Sequence, residues 1–146
     1  LGVPGHGITV AVPVKSVGGG KAVSYLSGGS GEVKYTRPEK FAYELIVVIV
    51  NAGTTDVVMN AARAAGARGG TVIHGKGTGS KDAQKFHHIS IADEKDVVLI
   101  VAAAEIKAAI MRSVLEKAGP GTVAGAIVFS LPVSEAAGFG FVSDKS

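Results

Sequence analysis

GGTVIHGKGTGS, residues 69–80, is the stretch around which the fold is organised. It opens on Thr71, Val72 and Ile73, a β-branched run that predicts a short strand. It then passes into a loop with glycine at 75, 77 and 79. Alternate glycines let a backbone reach φ > 0 and come close to a ligand or another chain. Successive N–H groups in such a loop can also face an anion. The expectation is a strand end whose glycine loop holds a ligand. The plainer alternative is a glycine-rich strand end that holds none.

Upstream of this stretch, YELIVVIV (residues 43–50) is an almost continuous apolar run, the pattern of a strand covered on both faces. Residues 51–53 form a turn. Thr54 or Thr55 is placed to cap a helix, with Asp56 near its positive end. Val57, Val58, Ala61, Ala62 and Ala65 recur at helical spacing, and Gly66 suits the C′ position. Downstream, residues 80–96 are polar. Within them FHHISI alternates like a strand, turning at residues 92–94. VVLIVA (97–102) predicts a second central strand. The clearest helix covers 103–118, with Ile106, Ile110 and Val114 as its apolar stripe and Lys107, Arg112 and Lys117 facing water. Gly119 and Pro120 end it, and AIVFSL (126–131) is the last strand, stopped by Pro132.

The order from 43 to 133 is therefore β-α-β-(β)-β-α-β. That predicts an α+β, ferredoxin-like βαββαβ fold, with an antiparallel sheet and both helices on one face. Its strands are apolar on both sides, so a second copy or another subunit is expected to cover the other face.

GHGITVAVPVKSVGG (5–19) resembles AGAIVFSLPVSEAAG (124–138) at a constant offset. Ile8, Pro13, Val14 and Gly19 match Ile127, Pro132, Val133 and Gly138. Residues 1–19 thus read as the last strand of an earlier repeat, whose βαββα portion is expected before Leu1. Strand 8–14 cannot stand alone and must pair with a sheet. The organisation expected is 1–26 as the terminal strand and tail of that repeat, 27–41 as linker, 42–140 as the ferredoxin-fold domain and 141–146 as tail.

Composition narrows the function. Of 146 residues, 47% are hydrophobic and 18% charged, enough for a real core. The net charge is +3, without a Lys/Arg run, so nucleic acid is not the expected partner. With no cysteine there is no disulfide framework and no thiolate metal site, as in a reducing cytoplasm. No segment is apolar for the length of a membrane span. No G-x-S-x-G elbow occurs, and GGGK at 18–21 lacks the P-loop spacing, so neither motif directs the reading. Adjacent His87 and His88 point to opposite faces of a strand and make no chelate by themselves. Asp93, Glu94, Lys95 and Asp96 read as a solvated turn.

ELIVVIVNAGTTDVVMNAARAAGARGGTVIHGKGTG resembles the first half of the PII nitrogen-regulatory signalling proteins. VVLIVAAAEIKAAIMRSVLEKAGPGTVAGAIVFSLPVSEAAG resembles the second half. The resemblance implies a trimer-forming sensor without catalysis. It implies adenine nucleotides, often with 2-oxoglutarate, bound in clefts between subunits or repeats. The partners implied are ammonium transporters and enzymes of nitrogen metabolism. Thr71 matches a threonine that lines the adenine site. Lys76, Gly77 and Gly79 match a Lys-Gly-x-Gly, and Gly119, Gly121 and Gly125 match a phosphate-cradling turn. That turn here, AGPGTVAG, has no Asp-Gly-Lys, no arginine follows Leu131, and Leu99 replaces a glutamate. A triphosphate then has few charge-assisted partners. Lys15 and Lys21, on the tail of the earlier repeat, are the candidates to replace that charge. The rival readings are a CutA-like trimer binding divalent metal through His74, His87 or His88, and a regulatory domain separated from an enzyme.

Overall fold

The structure, a computed structural model, describes residues 7–13, 41–78 and 93–138. These fall into two compact units. Ala42–Pro132 forms one, and β1 (Thr9–Ala11) with β6 (Glu135–Ala137) belongs to the other.

In the larger unit the elements are β2 (Tyr43–Asn51), α1 (Thr55–Ala64), β3 (Thr71–Gly77), β4 (Asp93–Ala103), α2 (Lys107–Ala118) and β5 (Ile127–Val133). A 3-10 turn, Ala104–Ile106, leads into α2. The sheet order is β3-β4-β2-β5, and β4 is antiparallel to both β2 and β3. The crossover β2-α1-β3 is thus split by β4. This is the ferredoxin-like α+β arrangement that the sequence predicts.

Alternation along the strands builds the core. Ile46, Val48 and Val50 on β2 and Val98, Ile100 and Ala102 on β4 share one face. They cluster with Val58, Ala61 and Ala62 of α1 and Ile110, Val114 and Ala118 of α2. Each fully buried Ile or Val there contributes about 1.5–3 kcal/mol. The small alanines of α1 let the helices close on each other, and Ser113 Oγ donates to the Ala61 carbonyl at 2.8 Å. On the opposite face Leu45, Val47, Ile49, Val97, Leu99 and Val101 stand outside this cluster.

Helix ends follow the sequence in part. Gly66, at φ 103°, follows the C-cap Ala65 of α1, as its composition predicts. Thr54 is the N-cap but makes no capping bond, because its Oγ1 donates to the Asn51 carbonyl at 2.7 Å. Lys107 is not simply in water, since its Nζ lies 3.6 Å from Glu44 Oε1.

Several boundaries differ from expectation: the helix expected over 103–118 is α-helical only from Lys107, the 3-10 turn standing before it. β3 does not stop at Ile73 but runs through Gly75 to Gly77, because β4 begins early enough to pair Gly75 with Lys95 and Gly77 with Asp93. For the same reason Asp93–Asp96 is strand, not turn. β5 continues past Pro132 to Val133. An edge strand tolerates a residue with no N–H, and β5 is an edge among the described residues.

In the smaller unit β1 spans three residues, shorter than the predicted 8–14, and pairs antiparallel with β6, Val10 opposite Ala136. The Ser134 N–H and Oγ both donate to the Ala11 carbonyl. Gly138, at φ 89°, lies so close to the Gly7 carbonyl that no Cβ fits there. The expected strand FHHISI, the expected linker up to residue 40 and the tail 141–146 lie outside the described residues.

Candidate functional site

The C-terminal ends of β2 and β3 and the N-terminal end of β4 meet at one end of the sheet. Strand alternation sorts their side chains into two faces.

One face carries Thr71, Ile73, Gly75 and Gly77 of β3, opposite Leu99, Val97, Lys95 and Asp93 of β4. Asn51 on β2 also pairs with Lys95. Lys95 Nζ donates to Asn51 Oδ1 at 2.5 Å and lies 3.5 Å from Asp93 Oδ2. The Asn51 Nδ2 donates to the Val123 carbonyl at 2.8 Å, and the Asn51 N–H to the Ala124 carbonyl at 2.9 Å. Asn51 therefore clasps the 119–125 turn from below and holds Lys95 from the side. At Gly77 the Lys95 stem lies close: a Cβ there would stand 3.0 Å from the Lys95 Cε and would push that flexible side chain aside. A Cβ at Gly75 would meet open space.

The 119–125 turn is built by its own short bonds. Gly119 N–H donates to the Leu115 carbonyl at 3.0 Å, at a spot where no Cβ fits. Thr122 Oγ1 donates to the Gly119 carbonyl at 2.8 Å. Gly121 at φ 88° and Gly125 at φ 56° supply the left-handed backbone. Val123 stands exposed at the tip.

The other face carries His74 and Lys76, opposite Asp96 and Glu94. Asp96 is the one buried charged residue among those described. Its Oδ2 accepts the Gly53 N–H at 3.1 Å, and its Oδ1 lies 2.5 Å from His74 Nδ1. The hydrogen bond from His74, then that from Gly53, holds the Asp96 carboxyl below its ordinary value. An ionised carboxylate only accepts, so Nδ1 carries the proton in this pair.

The residues singled out in sequence are thus distributed as follows. Thr71 and Gly77 share the face of Lys95. Lys76 projects to the face of Asp96. Gly119, Gly121 and Gly125 shape the turn that Asn51 holds. Gly79, Lys15, Lys21, His87 and His88 lie outside the described residues. Among the described residues no three His, Cys, Asp or Glu side chains gather in a metal-ligating group, and no helix is long and apolar enough to cross a membrane. Asn51, Lys95 and Asp96 are site residues that the sequence alone does not single out. The signal for Asp96 is its place directly against VVLIV, which makes it the first buried residue of the strand.

No curated protein matches the chain. Among solved structures, the PII of Arabidopsis thaliana bound to citrate is similar, with 22% identity, 65% of this chain and 78% of that chain covered, and a TM-score of 0.51. A PII-like signaling protein from Thermus thermophilus aligns at 14% identity over 66% of this chain and 87% of that one, with a TM-score of 0.47. The family model for nitrogen regulatory protein P-II matches residues 43–139. The chain belongs to the nitrogen regulatory protein P-II family.

Proposed function

We propose that the protein is a regulator that senses a small ligand, an adenine nucleotide, on the face bearing Thr71, Gly75, Gly77 and Lys95. The regulatory role itself follows from membership of the family. The observation that carries the ligand reading is one set of bonds. Asn51 ties the strand end beside Gly75 and Gly77 to the 119–125 turn. Two glycine-rich stretches far apart in sequence thereby become one surface.

Thr71 and Leu99 form the apolar side of that surface, and the turn with Lys95 forms its polar end. A neighbouring subunit would close it, since Ile73, Ile127 and Phe129 leave apolar surface exposed on β3 and β5. The citrate in the Arabidopsis relative shows that a protein of this fold takes a polyanion. Output would pass through contact with a regulated protein, a transporter or a metabolic enzyme, in the cytoplasm, rather than through catalysis.

A thermal-shift series with ADP, ATP, AMP, 2-oxoglutarate and divalent metals tests this. A ligand of the folded state at a hundredfold excess over its Kd adds about 2.7 kcal/mol and raises the melting temperature. The adenine nucleotides are expected to do so. A shift by divalent metal alone would replace the reading with metal handling, and no shift by any nucleotide would refute it.

A further inference from the structure

His74-x-Lys76 is the part of GGTVIHGKGTGS that the face of Thr71 leaves over. Both side chains project from β3 to the opposite face, in register with Asp96 and Glu94. The His74 side chain is 86% exposed, while that of Asp96 is 4% exposed. An exposed ring bonded to a buried carboxylate is not free to choose its tautomer. Asp96 is ionised, its carboxyl held below the ordinary value by His74 and then by Gly53. It can only accept, so Nδ1 of His74 keeps the proton and Nε2 keeps its lone pair.

Nε2 therefore meets solvent as the unprotonated nitrogen of the ring. The carboxylate behind it raises its basicity and can balance a positive charge on the ring. These are the requirements of a nitrogen nucleophile. Lys76 lies two residues on, about 7 Å along the strand, and its flexible stem can bring a cation to a group attached at Nε2. Glu94, across the ladder from Lys76, is exposed, and solvent screens it. Among the described residues no third ligating side chain joins His74 and Asp96, which favours an electrophile held by one bond over a metal ion.

We propose that His74 is a phosphoryl-acceptor site, taking a phosphoryl group at Nε2 from a small acyl phosphate. The site lies on the face away from Thr71 and does not depend on the nucleotide reading. Nε2 attacks phosphorus, the N–P bond forms, and the P–O bond to the acyl group breaks. The carboxylate leaves with the electron pair of that bond, and nothing is oxidised or reduced. The Nδ1 proton stays in place, and Asp96 offsets the charge of the phosphorylated ring. A carboxylate leaves without being protonated, so the step asks for no general acid and suits an open surface. Asp96 also accepts the Gly53 N–H at 3.1 Å, so a change at the ring reaches the turn before α1.

The test is incubation of the full chain with acetyl phosphate, followed by intact mass, phosphorus NMR and proton–nitrogen correlation of the histidine rings. One acid-labile phosphoryl group is expected on Nε2 of His74, gained faster than by N-acetylhistidine, with the Gly53 N–H signal shifted. His74→Gln should abolish this gain. Asp96→Asn should slow it about tenfold or more, the loss of a hydrogen bond to a charged group. Lys76→Met should slow it about twofold to fivefold, the loss of one solvent-screened charge. If Asp96→Asn fails to fold, the ring tautomer of the wild type decides in its place, and a proton on Nε2 at neutral pH overturns the proposal. Modification at His87 or His88 without His74 overturns it as well. So does a rate no faster than that of N-acetylhistidine, or an equal rate in folded Asp96→Asn. Phosphorylation of His74 that leaves the Gly53 signal unmoved overturns the coupling to the turn.

Discussion

Replacing Asn51 by alanine separates the role of this side chain from that of its backbone. Asn51 makes two side-chain bonds, Nδ2 to the Val123 carbonyl at 2.8 Å and Oδ1 from Lys95 Nζ at 2.5 Å. The first is a neutral bond worth about 0.5–1.5 kcal/mol. The second is charge-assisted but partly solvated, and Lys95 retains Asp93, so its loss adds only about 0.5 kcal/mol. The backbone bond from Asn51 to Ala124 survives the substitution. The sum is a loss of about 1–2 kcal/mol. For a domain of this size each kcal/mol lowers Tm by roughly 4–8 °C. Urea unfolding should show this as a lower midpoint with an unchanged slope. Amide exchange at Thr122 and Gly125 should quicken, because the turn loses its tie to the sheet. Asn51→Asp, which keeps an acceptor for Lys95 but loses the donor to Val123, should fall between. A loss under about 0.3 kcal/mol with unchanged exchange would show that the turn is held by its backbone bonds alone.

Other substitutions probe the core, the turn and the acid range. Ile110→Ala empties a fully buried position between α2 and the sheet and should cost about 2–5 kcal/mol in chemical denaturation. Gly119→Ala drives a methyl against the Leu115 carbonyl and should cost about 1–3 kcal/mol by the same measurement. Asp96 is held below its ordinary 3.8 in the folded state. Its contribution is therefore complete above the unfolded value, about 3.9, and is lost as pH falls through the lower folded value. Asp96→Asn should lower stability at neutral pH and flatten this part of the acid limb. An acid limb unchanged by that substitution would refute the assignment.

The fold was legible because its signals are local. YELIVVIV and VVLIVA are too apolar to be anything but central strands, and Ile110 and Val114 recur at the helical period. Gly66 marks a helix end wherever the chain goes next. What stayed hidden depends on contacts between distant residues. Whether Gly75 and Gly77 lie in a loop or a strand is decided by Lys95 and Asp93 across the ladder, not by the glycines. Glycine alone permits both. The charged run Asp93–Asp96 looks like a solvated turn until its partners are known. Gly53 and His74, which make Asp96 a buried anchor, are 43 and 22 residues away. Lys95 meets Asn51 across 44 residues. No window of sequence spans such pairs, so the glycines, the threonine and the turn could be singled out while the side chains joining them could not.

Pro132 gives the sheet a direction of growth. On β5, an edge among the described residues, it is the one position from Ile127 to Val133 with no N–H to give a ladder. β3, the opposite edge among the described residues, carries no proline from Thr71 to Gly77. A peptide engineered to widen this sheet should be matched to β3, and a lysine or proline introduced there would be the means of keeping concentrated solutions free of edge-to-edge pairing.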